Sequence, residues 1–335
     1  MTHGTSSTGH TAATTFSVDY LPDQARTALA EAHALAEAGS WQGALQQCHR
    51  ALDVWWRLAD GGRSAYLFEI IGVVDQYTKR LLAEQRWTDA LHFSELSLQS
   101  WRRLVDDGGT VYRPLLAEAL TAHALALQMT GNLAEATRLA EHSAEMWPEL
   151  VAGDPTMRLG LGATLSTLVV LLANADRWEE ALERSTESVA LWQAVADESP
   201  DLLANLARAL RQHAVVLDAN GEVAAAVDAV DQALAASQRM DEDERRESLR
   251  DMARLASGLL RSSLERSGPE GGVRPSWLCV RIHEALAAED PLHLPGLVAA
   301  MAQHTMILAR AGRDEEAIAF HEWALHRRNE FRHRR

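Results

Sequence analysis

The sequence predicts an all-α protein, an α-solenoid of about seven helix-turn-helix repeats. Alanine and leucine dominate the 335 residues, and almost no segment has the alternating pattern of a strand. Apolar residues instead recur at helical spacing, interleaved with charged ones. One pattern also returns roughly every 45 residues, which is typical of a protein built from stacked repeats.

The repeat is clearest in DRWEEALERSTESVALW (176–192) and QRWTDALHFSELSLQSW (85–101). In each, an alanine follows the first Trp by three residues; we call the residue at the position of that Trp the anchor. The anchors are Trp41, Trp87, Leu133, Trp178, Val223, Trp277 and Asp314. Successive anchors lie 46, 46, 45, 45, 54 and 37 residues apart. The long spacing coincides with SGPEGGVRP (267–275), which predicts a Gly/Pro loop inside the sixth helical pair.

Each unit is predicted to contain two helices. The first ends at a turn such as EAGSW or MTGNL, where Gly relieves the last helical turn. The second starts near the anchor and stops at Gly, Pro and Asp clusters. We therefore expect a disordered tail at 1–20, a single solenoid over 21–332 and a basic end at 333–335. The predicted units are 22–61, 62–109, 110–153, 154–199, 200–240, 241–290 and 291–332.

Tryptophan occupies two phases of this repeat. Four of the ten lie at the anchor and four lie fourteen residues after it. The second group is Trp55, Trp101, Trp147 and Trp192. Packing between stacked helices explains such a distribution, so we interpret these residues as core. Trp178→Ala is then expected to cost about 3–5 kcal/mol, as for a buried large-to-small change.

Small residues recur at positions nine residues before, three residues after and ten residues after the anchors. Glycine lies two residues before four of the anchors, at Gly39, Gly131, Gly221 and Gly312. This pattern resembles the tetratricopeptide repeat (TPR) family, in the long-helix variety found in kinesin light chains and many actinobacterial repeat proteins. The resemblance covers about residues 22–332. It implies a right-handed superhelix whose concave surface, lined by the first helix of each unit, holds a protein or peptide.

The groove phases of the family carry over to fourteen candidate ligand-binding residues. They are Arg26, His33, Glu37, Asp75, Lys79, Glu118, Thr121, Gln128, Ser166, Asn174, Arg208, Arg211, Asp218 and Arg310. Arg208 and Arg211 lie one helical turn apart, and two guanidinium groups together suit a carboxylate or a phosphate. Val170 and Val215 occupy phases where the chaperone-binding members have asparagine, so that role is not predicted.

Charge and targeting signals narrow the class of partner. The formal net charge of −15 disfavours nucleic acid and anionic membranes, and HRRNEFRHRR (326–335) is the only strongly basic stretch. The N-terminus lacks the pattern of a signal peptide, and no run of apolar residues appears long enough to cross a bilayer. Cys48 and Cys279 form neither a disulfide framework nor a zinc spacing. A cytoplasmic protein is expected.

No motif predicts catalysis. His321 and His326 are five apart and do not match a zincin motif, and Cys48 falls on an inward-packing phase, which predicts a buried thiol. We therefore predict a non-catalytic protein- or peptide-binding scaffold or regulatory adaptor, without cofactor or metal, that forms a homodimer through its terminal repeats or stays a monomer. The alternative is a small-molecule sensor or a biosynthetic enzyme or accessory protein, whose pocket would lie near Trp277, Cys279 and His283.

Overall fold

The computed structural model describes residues 23–58 and 64–333, and the predicted tail at 1–20 lies outside them. The described residues form thirteen helices and no strand. The helices are α1 (Asp23–Glu37), α2 (Trp41–Leu58), α3 (Ser64–Ala83), α4 (Trp87–Asp106), α5 (Arg113–Met129), α6 (Leu133–Gly153), α7 (Arg158–Asn174), α8 (Trp178–Glu198), α9 (Leu203–Ala219), α10 (Val223–Ser237), α11 (Glu242–Glu289), α12 (Leu294–Arg310) and α13 (Asp314–His333). The predicted all-α solenoid class is confirmed.

Six of the seven anchors are the first residues of helices, namely of α2, α4, α6, α8, α10 and α13. The turn before each anchor explains this regularity. The residue two before the anchor is left-handed in all six, with glycine in four cases and Gln85 or Asp176 in the others. In five of these turns, the residue after the left-handed one donates its N–H to a carbonyl five residues back, as Ser40 does to Leu35. This bond closes the preceding helix and lets the next one start in a new direction.

The sixth unit departs from the prediction of a Gly/Pro loop, which was wrong. Residues 269–289 continue as a helix, and the break is confined to Gly268, whose φ of 65° and ψ of −161° lie outside the helical region. Pro269 follows at once, where a missing N–H and a fixed φ suit a first helical turn. Helix α11 therefore consists of a first segment (242–267) and a second segment (269–289), and Trp277 lies inside the second rather than at its start.

The chain divides into two compact units, residues 1–131 and 132–335. Within each unit, helices adjacent in sequence pack against each other, and first helices also contact first helices, as α7 and α9 do. Alanine three residues after the anchor has no exposed surface at Ala44, Ala90, Ala136 and Ala181. A side chain this small lets the helix axes approach closely.

The two tryptophan phases differ in burial. Fourteen residues after the anchor, Trp101, Trp147 and Trp192 are buried, while the side chain of Trp55 lies outside the described set. At the anchor, Trp41 is buried, Trp178 is only half-buried and Trp277 is 38% exposed. The expectation that Trp178 is a fully buried core residue was wrong, so its replacement by Ala should cost less than about 3–5 kcal/mol.

Two helical stretches, Pro155–Asn174 and Pro291–Arg310, are long and apolar enough to cross a membrane by length and composition alone. The prediction that no segment meets this criterion was wrong. Both stretches contain the first helix of a repeat, and α7 packs against α8 as α12 packs against α13. Their apolar character therefore serves helix packing on more than one side.

Candidate binding groove

A cavity of about 500 Å³ lies between α9 and the first segment of α11, within the unit of residues 132–335. We call it the groove. Its lining consists of Arg208, Arg211, Gln212, Val215, Asp218, Asp251, Arg254, Leu255, Gly258 and Leu259. Successive turns of α9 supply Arg208, Arg211, Val215 and Asp218, because residues three and four apart share one helix face. Along α9 the groove therefore has three parts. A basic wall contains Arg208 and Arg211, an apolar strip contains Val215 with Leu255 of α11, and an acidic end contains Asp218.

The basic wall depends on Arg208 and Arg211. Arg208 is exposed, yet enough protein surrounds its guanidinium that desolvation lowers its pKa, a combination typical of a concave surface. The Arg208 guanidinium donates to the side-chain amide oxygen of Asn205. Arg211 is half-buried and donates to the Ser248 hydroxyl at 2.8 Å. Burial is the main cause of its lowered pKa; the negative charge of Asp251 opposes this lowering, and the positive charge of Arg208 adds to it.

One carboxylate serves two of the three arginines in the groove. Asp251 lies 3.5 Å from Arg211 and 3.5 Å from Arg254, while no carboxylate in the described part of the chain forms an ion pair with Arg208. At the other end of the groove, Asp218 accepts from the Ser262 hydroxyl at 2.7 Å and lies 3.8 Å from Arg266. The basic wall therefore has an excess of positive charge, whereas the acidic end is compensated.

The apolar strip between these ends includes Val215 and Leu255. Val215 is 45% exposed, which is unusual for a branched apolar side chain on a helix that otherwise packs inward. Beside it, Gln212 donates its amide N–H to the Ser166 carbonyl oxygen at 3.3 Å. The Gln212 Oε1 and Ser166 Oγ atoms are both buried, and neither has a hydrogen-bond partner among the described residues.

Of the fourteen sequence candidates, the groove contains Arg208, Arg211 and Asp218, with Ser166 in contact with Gln212. Asn174 and Arg310 are exposed and do not line it. The α11 side, with Asp251, Arg254 and Leu255, was missed, because the sixth unit matches the repeat pattern poorly. Its first helix is nevertheless regular, and the i, i+3, i+4 spacing of those three residues was the available signal.

The sequence candidates in the unit of residues 1–131 do not line the groove. Glu37 forms an ion pair with Arg80 at 2.7 Å, and the ring of His33 lies 3.5 Å from the Tyr77 hydroxyl. Lys79 and Glu118 are exposed. The remaining candidates there, Arg26, Thr121 and Gln128, are half-buried.

Asp75 serves a packing role that the sequence did not indicate. Its carboxylate accepts from the Ser97 hydroxyl and, at 3.0 Å, from the Trp101 indole N–H on the neighbouring helix α4. Desolvation raises its pKa to about 6, although both hydrogen bonds oppose the shift. Asp75 therefore holds α3 against α4 through a buried tryptophan.

Three serine–histidine pairs were also not predicted. Ser94 contacts His123 at 2.9 Å, Ser185 contacts His213 at 2.8 Å, and Ser276 contacts His304 at 2.7 Å. Such pairs resemble a nucleophile and its base. However, each hydroxyl also donates to the carbonyl three residues earlier, as Ser94 does to Leu91. The proton of the serine is thus directed away from the imidazole, and the pairs join adjacent helices rather than activate a nucleophile.

The cysteines have the surroundings of inert thiols. Cys48 and Cys279 are buried, and desolvation raises their pKa values to about 12 and about 11. Near Cys279, the ring of Trp277 packs against His304, Phe320 and Trp323. In the part of the chain that the structure describes, no group of three His, Cys, Asp or Glu side chains is placed to hold a metal ion.

Comparisons with known proteins identify likenesses of fold. No protein-family model matches the chain, and no curated protein matches it. Among solved structures, it is similar to a Rap protein complexed with competence and sporulation factor (9% identity, TM-score 0.44), covering 93% of this chain and 99% of that one. It is also similar to BtubC from P. vanneervenii (17% identity, TM-score 0.43), covering 73% of this chain and 92% of that one.

A third similar structure is a putative kinesin light chain from P. anserina with TPR-like repeats (19% identity, TM-score 0.40), covering 66% of this chain and 98% of that one. These likenesses concern the arrangement of helices alone. What the structure itself shows is a chain of paired helices in which the residue two before six of the seven anchors is left-handed.

Proposed function

We propose that this chain is a non-catalytic scaffold or regulatory adaptor of the cytoplasm, and that a segment of a partner protein binds in the groove. The observation that carries the proposal is the groove itself, where an excess of arginine charge adjoins an exposed apolar strip. A folded monomer gains nothing from exposing Val215 next to unpaired charge, whereas a bound segment would cover both.

The dimensions of the groove support a peptide rather than a folded domain. Arg208 and Asp218 are ten residues apart on α9, which is about 15 Å along a helix. An extended chain rises about 3.3 Å per residue, so four to five residues span this distance.

A displayed library of random 12-residue peptides tests the proposal. The wild-type protein is expected to enrich a defined set of peptides, and Val215→Asp should weaken their binding at least roughly tenfold, because it puts a charge into the apolar strip. Met306→Asp is the matched control. Met306 lies at the same repeat phase on α12, eight before the anchor, and is also 45% exposed.

Two results would contradict this assignment. One is the absence of any enriched peptide, and the other is equal binding by the wild type and Val215→Asp. A small molecule released when the purified wild-type protein is denatured, with no peptide bound, would instead favour the sensor or biosynthetic alternative.

A further inference from the structure

The basic wall of the groove has more arginine side chains than carboxylates in ion pairs with them. Arg208 and Arg211 lie one turn apart on α9; burial is the main cause of the lowered pKa of Arg211, Asp251 opposes the lowering, and the like charge of Arg208 adds to it. Asp251 is shared between Arg211 and Arg254, at 3.5 Å from each. Among the described residues, Arg208 forms no ion pair, and its guanidinium donates to the neutral side-chain amide of Asn205. An additional carboxylate at this wall would relieve the repulsion and accept charge-assisted hydrogen bonds.

A second feature of the wall favours a ligand that also donates hydrogen bonds. Gln212 Oε1 is an acceptor, and it is buried without a donor among the described residues. A phosphate or a carboxylate alone offers an acceptor, whereas an extended peptide offers backbone N–H groups along its whole length. Gln212 lies next to Arg211 in sequence, so one bound segment can reach both.

The apolar strip continues the same line along α9. Val215 lies one turn beyond Arg211, and Leu255 faces it from the first segment of α11. A ligand that satisfies the arginines and Gln212 therefore also meets an apolar surface about one helical turn, or 5–6 Å, further along. In an extended peptide this distance corresponds to about two residues.

We infer that the groove recognises an extended peptide segment with an Asp or Glu side chain at Arg208 and Arg211 and an apolar side chain about two residues away, over Val215 and Leu255. This rests on the proposed function and assigns the chemistry of its ligand. The backbone of the segment donates to Gln212 Oε1. Asp218 stays with Ser262 and Arg266 at the far end.

The test uses random heptapeptides flanked on both sides by linker, so that no free carboxyl terminus is present. The wild-type protein is expected to enrich peptides with Asp or Glu next to an apolar residue. For a representative peptide, Arg208→Glu should raise the Kd about 10- to 100-fold, which is the loss of a hydrogen bond between charged groups. The same variant should select peptides that carry Lys or Arg instead, a result that misfolding cannot produce.

Arg239→Glu is the matched control, since Arg239 is exposed in the turn after α10 and does not line the groove. It should bind like the wild type, and both variants should keep the melting temperature of the wild type. Peptides that lack acidic residues, bind Arg208→Glu normally and are lost with Val215→Asp would overturn this inference while leaving the proposed function intact.

No enriched peptide at all would overturn both. Inorganic phosphate and a single-stranded oligonucleotide are tested in parallel by calorimetry. Binding of either that is lost in Arg208→Glu, together with no preference for acidic peptides, would replace the peptide by a phosphate-bearing ligand.

Discussion

Two equivalent places in the repeat, one in each compact unit, differ in how their buried polar atoms are paired. In the unit of residues 1–131, Asp75 accepts from Ser97 and Trp101. In the unit of residues 132–335, the same three phases are occupied by Ser166, Ser188 and Trp192. There, Ser166 Oγ, Ser188 Oγ and Trp192 Nε1 are all buried without a hydrogen-bond partner among the described residues.

The difference follows from one side chain. Asp75 and Ser166 both lie twelve residues before the anchor, but serine is one bond shorter and has a single oxygen. Trp147, at the same phase as Trp101 and Trp192, is satisfied in a third way, by donating to Thr164 at 2.7 Å. In the next unit the residue equivalent to Thr164 is Ala209, which has no acceptor. The repeat phase therefore determines where a tryptophan packs. The side chains around that tryptophan determine whether burying its indole N–H costs free energy.

The largest expected effect on stability comes from replacing Trp101 or Trp192 by alanine, and the two replacements should differ. Trp101→Ala should cost about 3–5 kcal/mol in the free energy of unfolding, because it opens a cavity and removes a hydrogen-bond donor from Asp75. Trp192→Ala should cost about 1–2 kcal/mol less, because the indole N–H that it removes is unpaired in the folded protein. Hydrogen exchange over α4 and α8 measures each locally. An equal or greater cost at Trp192 would argue against the comparison.

Acidification is expected to change the contributions of Asp75 and His304, one in each unit, in opposite directions. Asp75 has a pKa of about 6 when folded against 3.8 in its ordinary state, so the folded protein binds more protons between these values and gains stability as the pH falls. His304 has its pKa lowered from 6.5 to about 4 by burial, so the folded protein binds fewer protons and loses stability over that range.

Asp75→Asn and His304→Asn isolate the two contributions. The stability of the wild type relative to Asp75→Asn should rise from about pH 6 to pH 4, and relative to His304→Asn it should fall from about pH 6.5 to pH 4. One proton limits each slope to about 1.4 kcal/mol per pH unit. Chemical denaturation at half-unit intervals measures both, and parallel curves for wild type and variant would contradict the assignment.

The smallest effect expected is a gain. Ser166→Asn supplies a longer side chain with an acceptor, which should pair with Trp192 Nε1 or Ser188 Oγ and add about 1 kcal/mol of stability. Ser166→Ala is the control: it removes the unpaired hydroxyl without supplying an acceptor, so the stability difference between the two variants measures the new hydrogen bond. If the two variants have equal stability, the buried atoms near Trp192 are satisfied in another way.

Much of the helical framework could be predicted from sequence because its determinants are local. At six of the seven anchors, a left-handed residue two before the anchor ends one helix and the anchor starts the next, so a count along the chain locates both. The sixth unit shows the limit of this approach. SGPEGGVRP was predicted to be a loop from composition, but only Gly268 leaves the helical region, since Pro269 and its successors fit a first turn and then pack.

The candidate site was predicted in part. Arg208 and Arg211 could be found because they lie one turn apart on a helix at a groove phase. Arg254 and Leu255 were missed, because the sixth unit matches the repeat pattern poorly and these residues reach the same cavity from a helix about forty residues further along the chain. Asp75 appeared to be one more groove residue, whereas the structure pairs it with Trp101. Pairing across helices depends on distances that no single helix encodes.

The amino-acid sequence alone thus determined the helices and their turns, since backbone hydrogen bonds between residues four or five apart set both, and the small-residue phases could be counted along the chain. Only the tertiary structure decided which of the tryptophans are fully buried, which buried polar atoms have partners, and where the arginine charge stays uncompensated. Those properties depend on contacts between helices, where a change of one bond in side-chain length, as between Asp75 and Ser166, decides whether two atoms meet.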